Sequence, residues 1–235
     1  MNGATLQSGL SGKDAGTSLP LAVAVSTPFF YLRHGTTDHN AQRLITGHVD
    51  VPLNEAGRQQ AEDAAQRLVR CGIARIVSSP LLRARETADI VAGVLNVAVE
   101  VNPNFRERDW GSLSGRSLRE LPRGGPLPDG VEPLDLFIHR TVSALLPLLQ
   151  GPPLLLVGHS GHCRALRRVF LHNHDGEGAV PNGVPLCFTP TPSGLWRELS
   201  GRGTTWPPVR RYNSSGGTAH HQSPTAPYSA GGRRR

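Results

Sequence analysis

Lysine is almost absent from this chain, and its absence removes one class of chemistry. Of the 25 lysine and arginine residues in the 235-residue sequence, only Lys13 is a lysine, and it lies near the amino terminus. A Schiff base, or a phosphate site built around a lysine, is therefore excluded from the central part of the chain. Arginine, whose planar fork of donors suits phosphate, is the cation left for binding anions.

Cysteines and long apolar runs are also scarce. Cys71, Cys163 and Cys187 are odd in number and fall in segments that pattern predicts to be buried, which favours free thiols in a reducing cytoplasm over disulfides. The apolar patch at 19–25 is too short for a membrane span and lacks the charged start and cleavage site of a secretion signal. We therefore expect a cytoplasmic protein that does not insert into membranes.

Composition divides the chain into three parts. Residues 1–26 are rich in Gly, Ser and Thr and are predicted to form a flexible leader, while 27–200 are predicted to form one globular domain. Residues 201–235 are predicted to be a disordered tail. This tail holds six arginines and no acidic residue, so it carries nearly all of the formal net charge of +7. Because the globular part is close to neutral, no specific nucleic-acid partner is expected; no pattern predicts an oligomeric state.

Strand-like and helix-like segments alternate between residues 27 and 200. The pattern predicts strands at 29–32, 73–77, 97–101 and 154–157, helices at 54–70, 81–95, 133–149 and 161–170, and a hairpin of strands at 186–189 and 195–199. Such alternation is typical of α/β proteins. It predicts a three-layer α/β/α sandwich whose sheet is mostly parallel, with an antiparallel edge added by the hairpin.

The helix predicted at 81–95 follows a serine pair and a proline. Ser78 or Ser79 is predicted to cap it, with Pro80 in its first turn. Its apolar face is predicted to consist of Leu81, Leu82, Ala84, Ala88 and Ile90. The first turn also carries Arg83, which this placement brings close to the carboxyl edge of the sheet.

Two of the predicted strands end in histidine. Arg33-His34-Gly35 follows the apolar run 29–32, and Gly158-His159-Ser160-Gly161 follows the run 154–157 at the start of a helix. Open α/β sheets bind their ligands at the carboxyl ends of strands, and a helix amino terminus offers free backbone N–H groups to anions. The sequence therefore predicts an anion site that contains both imidazoles.

Together these segments resemble the histidine phosphatase (phosphoglycerate mutase-like) superfamily, branch 1, over about residues 28–200. The matching pieces occur in the order of that family: Arg33-His34-Gly35, residues 46–57, Ser78-Ser79-Pro80-Leu81-Leu82-Arg83, Glu107-Arg108-Asp109-Trp110-Gly111, Gly158-His159-Ser160-Gly161 and Val180-Pro181-Asn182-Gly183. The resemblance implies a phosphoglycerate mutase-like fold and a small phosphorylated substrate. It implies no metal and no other cofactor.

The resemblance also implies a role for each matching residue. His34 attacks phosphorus and carries the phosphoryl group, and a backbone carbonyl fixes its tautomer. Arg33, Arg83 and a protonated His159 hold the phosphoryl oxygens, each contributing on the order of 3 kcal/mol. Glu107 supplies and retrieves the proton. The remaining matches divide into substrate-binding residues (Asn40, Thr46, Gly47, Arg108 and the backbone of Ser160) and structural residues (His48, Asp50 and Asn54, the last as a helix cap).

The acid loop and the span after it point to different members of the family. Residues 107–115 look like the mutase version, in which Arg108 helps to bind a substrate carboxylate. The span from Glu107 to His159, however, is only about fifty residues, whereas mutases carry a long inserted lid there. A thin lid admits water to the phosphohistidine and favours hydrolysis. The sequence therefore predicts a phosphatase; the alternatives are a phosphoglycerate mutase with the same site and an inactive relative that binds phosphorylated ligands.

Overall fold

A computed structural model describes residues 27–121, 126–172, 178, 180–200 and 206. The predicted leader and nearly all of the predicted tail lie outside these residues, so their flexibility and disorder stay predictions. The helices and strands, in chain order, are β1 (Phe29–Arg33), α1 (Asp38–Ala41), α2 (Glu55–Leu68), β2 (Arg75–Ser78), α3 (Leu82–Leu95), β3 (Val99–Val101), α4 (Leu134–Leu145), β4 (Leu154–Gly158), α5 (Ser160–Phe170), β5 (Pro185–Pro190) and β6 (Trp196–Ser200).

Six strands form one sheet in the order β3-β2-β4-β1-β5-β6. The first four run parallel to one another, while β5 pairs antiparallel with β1 and β6 antiparallel with β5. The predicted mostly parallel sheet with an antiparallel edge is therefore confirmed. Strands β1 and β4 are neighbours, with Arg33 opposite Gly158, so the two histidine segments leave the sheet side by side.

Helices cover both faces of the sheet, as a three-layer sandwich requires. Phe29 and Tyr31 of β1 pack with residues of α4 and α5, whereas Phe30 and Leu32 pack with residues of α2 and α3. This division follows from the two-residue period of a strand, since successive side chains point to opposite faces. The described helices include none that is long and apolar enough to cross a membrane.

The loop after β1 packs directly against the first turn of α2. Asn54 caps this helix as predicted, because its side-chain oxygen accepts the Gly57 N–H at 2.9 Å. A Cβ atom on Gly35 would lie 2.2 Å from the carbonyl oxygen of Gly57, so the two segments could not come this close if residue 35 had a side chain. This contact fixes where the chain turns just after His34.

Helix α3 begins one residue later than predicted, and its predicted apolar face is confirmed at Leu81, Ala84 and Ala88 but wrong at Leu82, while Ile90 is half-buried. Leu81 occupies the cap position, so neither serine is the cap residue, but the Ser79 hydroxyl accepts the Leu81 N–H at 3.2 Å. Asp50, on another segment, accepts the Leu82 N–H at 2.6 Å. Leu82 is 39% exposed, while Arg83 and Thr87 are buried. Polar residues thus replace leucine on the inner face, and both of them serve the site described below.

The helix predicted at 133–149 changes type near its carboxyl end. The predicted helix 133–149 is α-helical only over α4, and Leu146–Gln150 form a 3-10 helix with proline in its first turn. Proline has no N–H for the α-helical hydrogen bond and so favours this change.

All three cysteines are free and buried, as expected. Trp206, inside the predicted tail, packs edge-on against Phe30 with ring centroids 5.5 Å apart.

Candidate active site

The two histidines that follow β1 and β4 face each other. The ring centroids of His34 and His159 are 5.2 Å apart, and both side chains are buried. The backbone N–H of His34 donates to the Gly158 carbonyl at 2.9 Å, which extends the β1–β4 ladder by one bond. The turn after residue 180 completes this anchor, because Asn182 donates to the His34 carbonyl at 2.9 Å. The sheet thus brings together two imidazoles that are distant in sequence.

The His34 ring is held in one tautomer. Its Nδ1 lies 2.7 Å from the carbonyl oxygen of Gly35, and since a carbonyl can only accept, Nδ1 carries the proton. Nε2 is left with a free lone pair. Burial, followed by the positive charges of Arg83 and Arg33, holds the pKa of His34 well below its usual value. The ring is therefore neutral near pH 7, as a nitrogen nucleophile must be.

Two arginines supply positive charge beside the rings. Arg83 is 1% exposed and donates to the carbonyls of Gly47 and Val49, both at 2.9 Å, and Arg33 donates to the carbonyl of Val180. Within the described part of the chain, the Nε atoms of both arginines are buried without a partner. Burial lowers the pKa of Arg83 to about 10, so it remains cationic at neutral pH.

His159 is neutral for the same reasons. Its Nε2 lies 2.7 Å from the Ser79 hydroxyl, while its Nδ1 is buried and unpartnered among the described residues. Burial, and then the positive charges of Arg83 and Arg33, hold the pKa of His159 well below its usual value. A bound dianion would offset these positive charges and favour the protonated ring.

The side chain of Glu107 contacts the amino terminus of α5. One carboxylate oxygen accepts the Arg108 backbone N–H at 2.8 Å, and the other accepts the Gly161 N–H at 3.2 Å with the Ser160 hydroxyl 3.5 Å away. Its backbone carbonyl accepts from His48 Nε2 at 2.7 Å, which accounts for that histidine as a structural residue. The carboxylate is buried, and its charge acts on both Arg33 and Arg83.

Four of the predicted substrate-binding residues lie on segments that contact Arg83, Glu107 or the turn that holds His34. Asn40 and Gly47 already have protein partners: Asn40 Oδ1 accepts from Asn182 at 3.1 Å, and the Gly47 carbonyl accepts from Arg83. Thr46 is half-buried next to Gly47. The Ser160 hydroxyl points toward Glu107.

Arg108, the fifth of these residues, contacts Glu132 and Trp110. Its Nε donates to the Glu132 carbonyl at 2.7 Å, and its guanidinium lies 4.6 Å above the ring of Trp110. Its Nη2 is buried and has no partner among the described residues.

Several residues that hold the site were missed by sequence reasoning. Ser79 bonds the His159 ring, Thr87 accepts the Gly35 N–H at 3.0 Å, and the buried Tyr31 hydroxyl donates to the His159 carbonyl. Thr87 is one turn after Arg83 on the inner face of α3, a spacing that could have revealed it. Tyr31 and Ser79 carried no comparable signal, since each acts only across the sheet.

The assembled site can bind an anion and attack it. It presents a neutral ring nitrogen, two buried guanidinium groups with unpartnered Nε atoms, and one carboxylate. Over the residues that the structure describes, no group of three or more metal-ligating side chains is found. Two guanidinium groups beside a neutral ring nitrogen suit a phosphoryl group.

Fold and site together define a protein of the phosphoglycerate mutase-like class. The family model of the histidine phosphatase superfamily (branch 1) matches residues 29–182, and the chain belongs to this family.

Relatives of two kinds stand close to this chain. A probable phosphoglycerate mutase of Escherichia fergusonii is 36% identical over 146 residues, which cover 55% of this chain and 68% of the relative. An uncharacterised phosphatase, PhoE, of Bacillus subtilis is 34% identical over 140 residues, 57% of this chain and 72% of the relative. Among solved structures, a mycobacterial glucosyl-3-phosphoglycerate phosphatase complexed with VO3 has a TM-score of 0.66 and 27% identity, covering 74% of this chain and 98% of its own. Both phosphatases and mutase-like proteins are therefore relatives.

Proposed function

We propose that this protein hydrolyses small phosphomonoesters through a phosphohistidine intermediate on His34. The observation that carries the proposal is the state of the His34 ring: neutral, with Nδ1 tied to a carbonyl and Nε2 free beside unpartnered arginine nitrogens. A ring in this state is a nucleophile for phosphorus, and the arginines bind the group that it attacks.

In the first step Nε2 of His34 forms a bond to phosphorus while the bond from phosphorus to the leaving oxygen breaks. Glu107, protonated, gives its proton to that oxygen, and an alcohol leaves. Arg33, Arg83 and His159 bind the oxygens of the transferring group, whose negative charge attracts a proton to His159. The product of this step is phosphohistidine with Glu107 ionised.

In the second step water attacks the phosphohistidine. Glu107 takes a proton from the water, the bond from phosphorus to Nε2 breaks, and its electron pair returns to the ring. Inorganic phosphate leaves, and His34 and Glu107 regain their starting states. No step uses a metal or another cofactor, so a chelator such as EDTA is expected to leave the rate unchanged.

Hydrolysis is favoured over mutase chemistry by the short segment above the site. Between Glu107 and α4 the described residues include two 3-10 turns, Gly111–Leu113 and Leu118–Glu120, and no α-helix. So thin a cover gives water access to the intermediate. The similarity to named phosphatases supports the same reading. Mutase activity is the second candidate, because it is favoured by the similarity to a probable phosphoglycerate mutase and by Arg108 Nη2, which has no partner among the described residues and could bind a substrate carboxylate.

The substrate is proposed to be a small phosphorylated metabolite bound against Asn40, Thr46, Gly47, Arg108 and the backbone of Ser160. Three buried free thiols support a reducing compartment such as the cytoplasm.

The deciding experiment incubates the purified protein with 3-phosphoglycerate, with and without 2,3-bisphosphoglycerate, and with a panel of other phosphomonoesters. Release of inorganic phosphate from any of them supports the phosphatase, formation of 2-phosphoglycerate supports the mutase, and neither product indicates an inactive ligand-binding protein. His34→Ala is expected to abolish turnover and the acid-labile phosphoenzyme. The matched control is His139→Ala, because His139 is an exposed residue of α4. Turnover by His34→Ala at the wild-type rate would overturn the phosphohistidine mechanism.

A further inference from the structure

One buried histidine has no part in the proposed steps. His162 is fully buried in the first turn of α5. Its ring stacks on Phe137 of α4 with centroids 5.3 Å apart and planes 10° apart, and it meets Phe105 edge-on at 6.0 Å. A Cβ atom on Gly158 would lie 2.5 Å from its Nδ1, so the glycine at the end of β4 leaves room for this ring.

Both ring nitrogens of His162 bond to segments of the proposed site. Nε2 lies 3.0 Å from the carbonyl oxygen of Arg106 and therefore carries the proton that it donates there. Nδ1 is then an acceptor, and it receives the backbone N–H of His159 at 3.3 Å. One imidazole thus joins the peptide of His159 to the residue immediately before Glu107.

The loop that contains Arg106 and Glu107 is also held by Arg140. The Arg140 guanidinium lies 4.8 Å above the Phe137 ring and donates to the carbonyls of Arg106 and Glu107 at 2.9 and 3.0 Å. Glu132 fixes Arg140 through two bonds of 2.6 and 2.8 Å. The carbonyl of Arg106 therefore accepts from both Arg140 and His162, and the loop is held through its backbone carbonyls.

We propose that His162 is a positioning residue that sets His159 and the Glu107 loop at a fixed separation. This inference rests on the proposed function, since it assigns to His162 the spacing between an oxyanion ligand and the proton donor. An apolar ring in its place would fill the same space but leave the His159 N–H and the Arg106 carbonyl without this partner. Such a change would loosen both groups without touching the phosphoryl pocket.

The test compares two substitutions at this position. His162→Phe keeps an aromatic ring against Phe137 and removes both hydrogen bonds. His162→Gln keeps an acceptor for the His159 N–H, because glutamine at the third helical position reaches back to the cap residue. His139→Phe, the same exchange at an exposed residue of α4, is the matched control. Thermal unfolding establishes that each variant folds, and His162→Leu replaces the Phe variant if that one does not.

Two readouts separate positioning from mere packing. With p-nitrophenyl phosphate, His162→Phe is expected to lower kcat about 10- to 100-fold, the scale set by small misplacements of reacting groups. KM should change less than about threefold, since the arginines stay in place. His162→Gln should recover most of kcat. Independently of turnover, the His159 amide proton should exchange with solvent at least about tenfold faster in the Phe variant than in the wild type.

Each outcome bears on one proposal. A folded His162→Phe protein with wild-type kcat and wild-type amide exchange overturns the positioning role. A Gln variant as impaired as the Phe variant in both readouts also overturns it, because the hydrogen bond would then not matter. If the wild type hydrolyses no phosphomonoester, the proposed function fails, and the exchange rate of the His159 amide still decides whether His162 holds that residue.

Discussion

At the scale of single residues, the site is built from polar groups that are buried and held by backbone atoms. The Gly35 carbonyl sets the His34 tautomer, and the Gly161 N–H holds the Glu107 carboxylate. Such contacts leave little room for change. They also mean that the residue next to a reactive group decides its geometry as much as the group itself does.

Gly161 offers the sharpest test of this idea. A Cβ atom there would lie 2.2 Å from Glu107 Oε1 and 3.0 Å from Phe137, so Gly161→Ala must displace the carboxylate. Since general acid catalysis contributes about 100-fold or more, we expect kcat for phosphomonoester hydrolysis to fall at least about tenfold, with a smaller change in KM.

Gly93→Ala is the control for that substitution. Gly93 lies in α3, and a Cβ there would meet nothing within 4 Å. Alanine should raise the free energy of unfolding by up to about 1 kcal/mol and leave kcat unchanged. Equal kcat values for the two alanine variants would contradict the proposed role of the Glu107 carboxylate.

At the scale of elements, α3 shows how one helix serves both the fold and the site. Its inner face carries Arg83, which reaches the carbonyls of Gly47 and Val49, and Thr87, which accepts the Gly35 N–H. The segment that approaches Arg83 also supplies Asp50 at the start of the helix. The loop at residues 47–50 and helix α3 are therefore joined by hydrogen bonds next to Arg83, which supplies positive charge to the site.

Removing the carboxylate of Asp50 should weaken this join. Its oxygen accepts the Leu82 N–H at 2.6 Å, and the loss of such a helix-terminal acceptor costs about 1 kcal/mol. We expect Asp50→Ala to lower the free energy of unfolding in urea by that amount, while Asp50→Asn, which retains an acceptor oxygen, loses less than half as much. Identical unfolding midpoints for Asp50→Ala and the wild type would show that the bond contributes nothing.

At the scale of the whole molecule, three neighbouring histidines are buried in the neutral form. Burial is the main cause of the lowered pKa of His34, of His159 and of His162, the last of which is held at about 4. For His162 the residual charges oppose each other: Glu107 and Glu132 raise the pKa, and Arg140 lowers it. The free energy of unfolding is therefore expected to fall at acid pH as these buried histidines become protonated.

The sign of this response follows from proton binding. The unfolded chain protonates a histidine near pH 6.5, whereas folded His162 does so near 4, so its contribution to stability is complete above 6.5 and is lost as the pH falls towards 4. The loss amounts to about 3 kcal/mol by pH 4. Urea unfolding between pH 7 and 4 should show a correspondingly weaker pH dependence for His162→Gln than for the wild type. Parallel curves for the two proteins would contradict this assignment.

The amino-acid sequence was enough to predict the α/β layers, the mostly parallel sheet and the edge of the sheet at which the two histidines lie. Period-two and helical patterns report which face of a segment is buried, and ordered motifs such as Arg33-His34-Gly35 report residue types that few other functions need in that arrangement. These signals are local. The predicted cap of Asn54 and the predicted placement of His34 and His159 at one edge of the sheet were confirmed.

Which side chains and backbone groups hold the site together depends instead on how the helices and strands pack. Asp50 accepts an N–H at the start of α3, Ser79 bonds the His159 ring, and His162 joins two segments that are distant in the chain. A hydrogen bond depends on distances of a few tenths of an ångström between groups on different elements, and no pattern along the chain encodes such distances. Long-range polar contacts arise only when the layers pack, and here they lie where the proposed chemistry requires the most exact placement.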